Sequence, residues 1–466
     1  MFASAFVAAT RPALAVLCMA LLIACSGAKR DSTAAARLSD ESTLPAFPGA
    51  QGWAAHTPGG RGGQLLRVTS LDPSGPGSLL EAIETPGPRI IVFEVGGVID
   101  LQRRLIDVAK PFVTIAGQTA PPPGITLIRG GLRIGAHDVV IQHLRVRPGE
   151  AGAGKKSGWE IDALSTAGGA HDVIIDHCSL SWGTDETLSA AGPRFQGDSP
   201  EEWRRNTSHR VTFSSNIVAE TLANATHSGG LHSRGMLIHD NVTDVLIIGN
   251  LFAHNAGRNP AFKGGSRGSV VNNLIHNPGS RAASYVLLAA EWGDRPYEKG
   301  RMDVIGNVLR AGPSSAPDLE FFSYRGSGDL DLYMSDNIAF DAAGQSQQTG
   351  VRLTPEAKQL TLVARMSHPL DAPPLASSAV EDWVLRNAGA RPWDRDDIDK
   401  RIIASVIDRK GALIDSEQDV GGYPVHAENR RAFDPACWDM RFMIPADSSP
   451  ATKHARCASH VSARNH

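Results

Sequence analysis

Only five of the 466 residues are cysteine, and their spacing does not resemble a zinc site. Charge of either sign is not in excess. The formal net charge is −3, so there is no basic field that would mark a nucleic-acid binder, and there is no acidic tail. Long hydrophobic runs are missing except for 13-ALAVLCMALLIA-24, which is too short and too closely followed by polar chain to cross a membrane. Within residues 45–345 no two aspartates are adjacent. The Asp396-Asp397 pair lies in the tail, which tells against a hydrolase working through paired carboxylates in the middle of the chain. What is present is ample apolar material, 42% of the residues, with 47 glycines and 29 prolines. A chain of this length exceeds one compact domain, so several domains or a turn-rich repeat is implied.

Residues 1–25 read as an export signal, with Arg11 ahead of the apolar run. The end of that run, Leu22-Ile23-Ala24-Cys25, resembles a bacterial lipobox, which implies cleavage before Cys25 and lipid on its thiol. The alternative is an ordinary signal peptide. Either places the protein outside the cytoplasm of a Gram-negative-type bacterium, as an outer-membrane lipoprotein or a periplasmic or extracellular protein. Residues 26–44, rich in Ser, Ala and charge, form a flexible tether. Cys178 sits in an apolar run and is expected to be buried and inert, while Cys437 and Cys457 are available for a disulfide in an oxidising compartment.

A short pattern recurs in 140-VIQHL-144, 174-IIDHC-178, 213-FSSNI-217, 247-IIGNL-251, 270-VVNNL-274, 304-VIGNV-308 and 334-MSDNI-338. Each segment is too short for a helix and reads as a strand bent at an Asn or His: His143, His177, Asn216, Asn250, Asn273, Asn307 and Asn337. One such unit cannot cover its own apolar face, but stacked units can, with the asparagines bonding from coil to coil. The expected fold is therefore all-β, a right-handed parallel β-helix over residues 45–345. Residues 346–466 form an extension in which 378-SAVEDWVLRNAG-389 and 396-DDIDKRIIASVID-408 have helical spacing, packed outside the coils or capping an end.

The segments 92-VFEVGGVIDL-101, 115-IAGQTAPPPGITL-127, 143-HLRVRPG-149, 175-IDHCSLSWGTDE-186 and 258-RNPAFKGG-265 together resemble the pectate lyases of polysaccharide lyase family 1. Two tail segments, 390-ARPWDRDDIDKRI-402 and 411-GALIDSEQDVGGYP-424, resemble the C-terminal region of its bacterial members. The resemblance implies β-elimination on polygalacturonate, with Ca²⁺ as cofactor and no partner beyond the acidic polysaccharide; the chain is expected to act as a monomer. It further implies that Arg258 removes the C5 proton, that Arg234 and Lys263 bind substrate where the family commonly has lysine and arginine, and that Asp162 and Asp185 are metal ligands. The family's next carboxylate is Ser189 here, and Glu186 is the residue that can compensate. Asp185 lies eight residues after His177 and Arg258 eight after Asn250, so the two should emerge at one angular position, two coils apart.

Each of these residues also has a plainer reading. His177 belongs to the turn ladder and Asp176 to its turn or surface; Asp185 and Glu186 follow Gly183 in what reads as a solvated acidic loop. Arg234 lies near His227 and His232, which form only a weak transition-metal signal, and Trp182 either stacks on a sugar or covers the core. Three other functions compete with cleavage of de-esterified pectin: a lyase acting on methylated pectin or another uronic-acid polysaccharide, a hydrolase, and a carbohydrate-binding β-helix without catalysis.

Overall fold

Each coil turns at a residue held in the left-handed region. His143, His177, Ser215, Gly249, Asn272, Gly306 and Asp336 occupy equivalent bends, with φ between 48° and 67°. In this computed structural model, which describes residues 44–354 and 359–446, the residue after each bend is the ladder position. Asp176 pairs with Ser214 and Ser179 with Ile217, so Cys178 is level with Asn216 and His177 with Ser215. The rung expected at His177 is thus one residue later: the Cys178 N–H donates to Asn216 Oδ1 at 2.8 Å. Leu144 occupies the same place one coil earlier, and the imidazoles of His143 and His177 stack at 5.0 Å. From Asn216 onward the expected ladder is present. Each asparagine Oδ1 accepts from the backbone N–H and the Nδ2 of the asparagine one coil before, through Asn250, Asn273, Asn307 and Asn337, at 2.8–3.0 Å.

Three sheets wind around a common lumen, two of eleven strands and one of nine. Pairing between successive coils is parallel, as in His209–Ser214 on Thr243–Ile248, which sets the coils about 4.8 Å apart. Inward positions stack like on like: Ile91, Ile115, Ile141, Ile175, Phe213, Ile247, Val270 and Val304 lie in one row, all fully buried. Each such side chain contributes about 1.5–3 kcal/mol. The row explains why strands facing two neighbours need no polar alternation. The strands Val351–Leu353 and Gln359–Leu362 extend two of the sheets, so coil structure continues beyond residue 345, where the asparagine pattern fades.

The two tail helices, Ser377–Asn387 and Asp397–Ile407, lie against the outer face of the sheet that follows the bends. Their Val380, Val384, Ile402 and Val406 pack on Ile217, Leu251, Leu274 and Val308. Asp396 caps the second helix by accepting from the Asp399 N–H. The fully buried Arg147 bonds Asp396 through both terminal nitrogens, at 2.6 and 3.1 Å, and Asp399 at 2.8 Å; burial opposes ionisation of Asp396, but Arg147 and Arg145 hold its carboxyl far below the usual range. The Asp396-Asp397 pair is therefore part of a clamp on the coils. Trp182 is fully buried, with Nε1 donating to Glu220, and covers core. Asp176 is buried too and accepts from Gln142, Ser214 and His177. Cys178 is a buried free thiol. Cys437 is buried and takes part in a disulfide; Cys457 and Cys25, with residues 1–43, lie outside the described residues. Among the described residues, no helix is long and apolar enough to cross a membrane.

Candidate active site

The candidate metal ligands and the candidate base come from one edge of the solenoid, where connections lead into the nine-stranded sheet. Asp162 precedes Leu164–Thr166, Asp185 precedes Glu186–Ala190, and Arg258 precedes Ala261–Lys263. Glu186 and Arg234 open their own strands and face each other in register. Arg234 in turn bridges to Gly257. Parallel stacking thus carries residues 162, 185, 234 and 258 to one place, although Asp185 lies seven residues after the ladder position Cys178 and Arg258 eight after Asn250.

Asp162, Asp185 and Glu186 bring carboxylate oxygens to within 4.8 Å of one another. Asp162 and Asp185 are half-buried and Glu186 is buried. Oδ1 of Asp162 accepts from the Glu186 N–H at 3.1 Å and its Oδ2 from the Ser189 hydroxyl, so Ser189, at the position where a further carboxylate was expected, bonds a candidate ligand. Burial, reinforced by the charge of Asp185, pushes the Asp162 carboxyl up to about 7. That is the mark of negative charge with too little compensation, and a hard dication with an oxygen-ligand preference relieves it. The three carboxylates therefore suit Ca²⁺.

Two imidazoles flank Asp185. Nε2 of His232 lies 2.9 Å and Nε2 of His227 3.7 Å from its Oδ1. Burial would raise Asp185, but these imidazoles and Arg258 bring it below the ordinary aspartate value. The cluster Asp185, His227 and His232 has the composition of a transition-metal site, yet its two rings are stacked face to face at 3.8 Å and 9°. An ion in the plane of one ring would lie well outside the plane of the other, and Nδ1 of His227 already accepts from the Gly229 N–H at 3.0 Å. The pair is better placed to hold Asp185 than to share an ion.

Around these carboxylates stand four guanidinium groups. Arg258 pairs with Glu186. Burial and the neighbouring Arg325 lower Arg258 against the pull of Asp185 and Asp162. A Cβ on Gly257 would lie 3.3 Å from Nη1 of Arg234 and 3.6 Å from Nε of Arg281, so these two side chains meet over Gly257. Burial, then Arg325, Arg234 and Arg258, lower Arg281 to about 10. Lys263 is not brought to this group. Buried at the end of its strand, it pairs with Glu291 and lies 3.6 Å from Asp240, in a network that also holds Arg194.

No family model matches the chain. Among curated proteins, it is 34% identical over 388 residues to a probable pectate lyase C of Aspergillus flavus, covering 82% of each chain. The chain belongs to the pectate lyase family. Another family member, a probable pectate lyase C of Emericella nidulans, is 33% identical over 385 residues, 81% of this chain and 80% of its own. Both relatives are fungal rather than bacterial. Of solved structures, pectate lyase II of Xanthomonas campestris shares 14% identity at a TM-score of 0.46, over 75% of this chain and 100% of that one. This pectate lyase family member is accordingly a polysaccharide lyase. Its coils gather two arginines, Arg281 and Arg325, that motif matching did not find. Arg281 could have been sought by its place, since it lies eight residues after the ladder residue Asn273, as Arg258 does after Asn250.

Proposed function

We propose that this chain cleaves polygalacturonate, the de-esterified backbone of pectin, by calcium-dependent β-elimination. The observation carrying this reading is the convergence of Arg258 with three carboxylates and three further arginines on one solenoid edge. The name pectate lyase, borne by relatives aligned over most of the chain, supports it. Arg258 takes the proton from C5 of a galacturonate, the C–H electrons form the C4–C5 double bond, and the C4 oxygen leaves and is protonated from solvent. Arg234, Arg281 and Arg325 neutralise sugar carboxylates, and Arg281 and Arg325 supply charge that Lys263, held by Glu291, does not. Asp162, Asp185 and Glu186 would hold Ca²⁺, which when bound withdraws charge from the sugar carboxylate beside the acidic C–H.

An arginine base must first lose its proton. For an unperturbed guanidinium that costs about 5–6 kcal/mol at pH 8. Burial of Arg258 reduces the cost, and the remainder gives an alkaline optimum. A second reading assigns the proton transfer to Arg281, whose guanidinium is lowered to about 10 by burial and by the cations Arg325, Arg234 and Arg258, whereas Arg258 is engaged by Glu186. Comparing kcat of Arg258→Ala and Arg281→Ala decides between them. The base is the one whose loss lowers kcat by about 10²-fold or more, while loss of a substrate ligand acts mainly on KM. We also read residues 1–25 as an export signal with a lipid-bearing Cys25, and the mature chain as a monomer tethered by residues 26–44.

A further inference from the structure

The edge that carries the carboxylates continues beyond them, toward the N-terminal coils. Arg103 lies in the connection between Val95–Asp100 and Leu105–Val108, and Arg129 in the one between Ile125–Ile128 and Gly131–Ile134. These connections are equivalent to those bearing Asp162, Asp185 and Arg258. Arg129 and Arg103 therefore stand four and five coils before Arg258, about 19 and about 24 Å along the axis at one strand spacing per coil. Between them and the tail segment around Tyr423 is a cleft of about 600 Å³.

Its walls are built. The tail segment that resembles the family's C-terminal region closes the cleft from outside. The Tyr423 hydroxyl donates to Pro148 O at 2.6 Å and accepts from the Ala151 N–H. Glu417 accepts from the Glu150 N–H, and Glu150 from the Ser416 hydroxyl. The two glutamates that line the cleft are thus occupied within its wall, and Asp100 is taken up by Arg129 at 2.6 Å. The guanidinium of Arg129 also lies over the Tyr423 ring at 5.0 Å, and that of Arg103 over Trp159 at 4.8 Å. Arg103 makes no ion pair with any described residue, although positive φ at both Gln102 and Arg103 shapes the turn that presents it. Trp159 connects the cleft to the metal carboxylates: its carbonyl accepts from Thr184 at 2.8 Å, and its loop ends in Asp162.

We infer that this cleft is a distal subsite for an acidic sugar of the same polysaccharide chain, with Arg103 as the residue that binds its carboxylate. The inference rests on the polyuronate reading of the active site. A coil and an extended pyranose unit are of similar length, so a polymer lying along the edge reaches Arg103 several sugars from the scissile bond, and a short oligomer does not. A fixed guanidinium backed by an aromatic ring suits a sugar carboxylate.

The test is steady-state kinetics on polygalacturonate and on trigalacturonate, with wild type, Arg103→Ala and Arg103→Lys. Loss of one charge-assisted contact predicts a KM for polymer raised about ten-fold in Arg103→Ala, with kcat unchanged, partial recovery in Arg103→Lys, and no change on the trimer. An unaltered KM for polymer, or an equal rise on polymer and trimer, would overturn the subsite while leaving the active-site reading in place. Failure of wild type to cleave either substrate would sink the active-site reading and the subsite with it.

Discussion

Asp162→Asn should make the metal-free protein more stable and the enzyme inactive. Asp162 is half-buried, and desolvation together with Asp185 raises its carboxyl from 3.8 to about 7. Because the folded-state value lies above the unfolded one, the fold favours the neutral acid. The penalty is absent below pH 4, grows between pH 4 and 7, and is fully present above 7. At about 1.4 kcal/mol per pH unit the shift corresponds to about 4 kcal/mol, an upper bound for a carboxylate that keeps some contact with solvent. Asparagine keeps an Oδ1 for the Glu186 N–H and a polar partner for Ser189 without the charge. Urea melts at pH 8.5 in chelator should therefore place Asp162→Asn above wild type by a few kcal/mol, with the difference disappearing at pH 4. Added calcium should stabilise wild type and leave the variant nearly unmoved. A variant no more stable than wild type in chelator at pH 8.5, or one that calcium stabilises equally, would refute both the origin of the shift and the metal assignment.

Other expectations follow from the same contacts. Asn250→Ala strips partners from the Asn216 N–H and the Phe213 carbonyl and should cost about 2–5 kcal/mol. Asn337→Ala, at the more open end of the ladder, should cost about 1 kcal/mol, both read by urea denaturation. Arg147→Met leaves Asp396 and Asp399 buried with less compensation and should destabilise by about 3–5 kcal/mol, seen first as protease sensitivity of the tail helices. Arg258→Lys should lower kcat by about 10²-fold or more, with KM little changed, when product formation is followed at pH 9.

The solenoid was legible in the sequence because stacking imposes one residue type on each angular position, and buried asparagine in a turn has few substitutes. The same rule misled at the N-terminal coils. There the asparagine rung is filled by Leu144 and Cys178, while histidine takes the left-handed position before it, so counting on polar residues slipped the register by one. Asp185, Glu186 and Arg258 could be placed because short connections keep their angular position. Arg325 required the structure, since only pairing shows which side chains meet, whereas Arg234 was named through the family resemblance and Arg281 had a readable place eight residues after Asn273. Lys263 illustrates the opposite limit. Its charge suited a substrate ligand, but Glu291, distant in sequence, engages it, and no local pattern announces a partner 28 residues away. The Arg147 clamp was hidden for the same reason, its aspartates lying some 250 residues downstream.

The central claim is an elimination driven by an arginine base and aided by calcium. Its most direct test is ultraviolet absorbance of the C4–C5 double bond during incubation with de-esterified polygalacturonate, with calcium or chelator, for wild type and Arg258→Ala. The account predicts rising absorbance for wild type with calcium, little in chelator, and a rate at least about 10²-fold lower for Arg258→Ala. New reducing ends without absorbance, or an undiminished rate in Arg258→Ala, would contradict it.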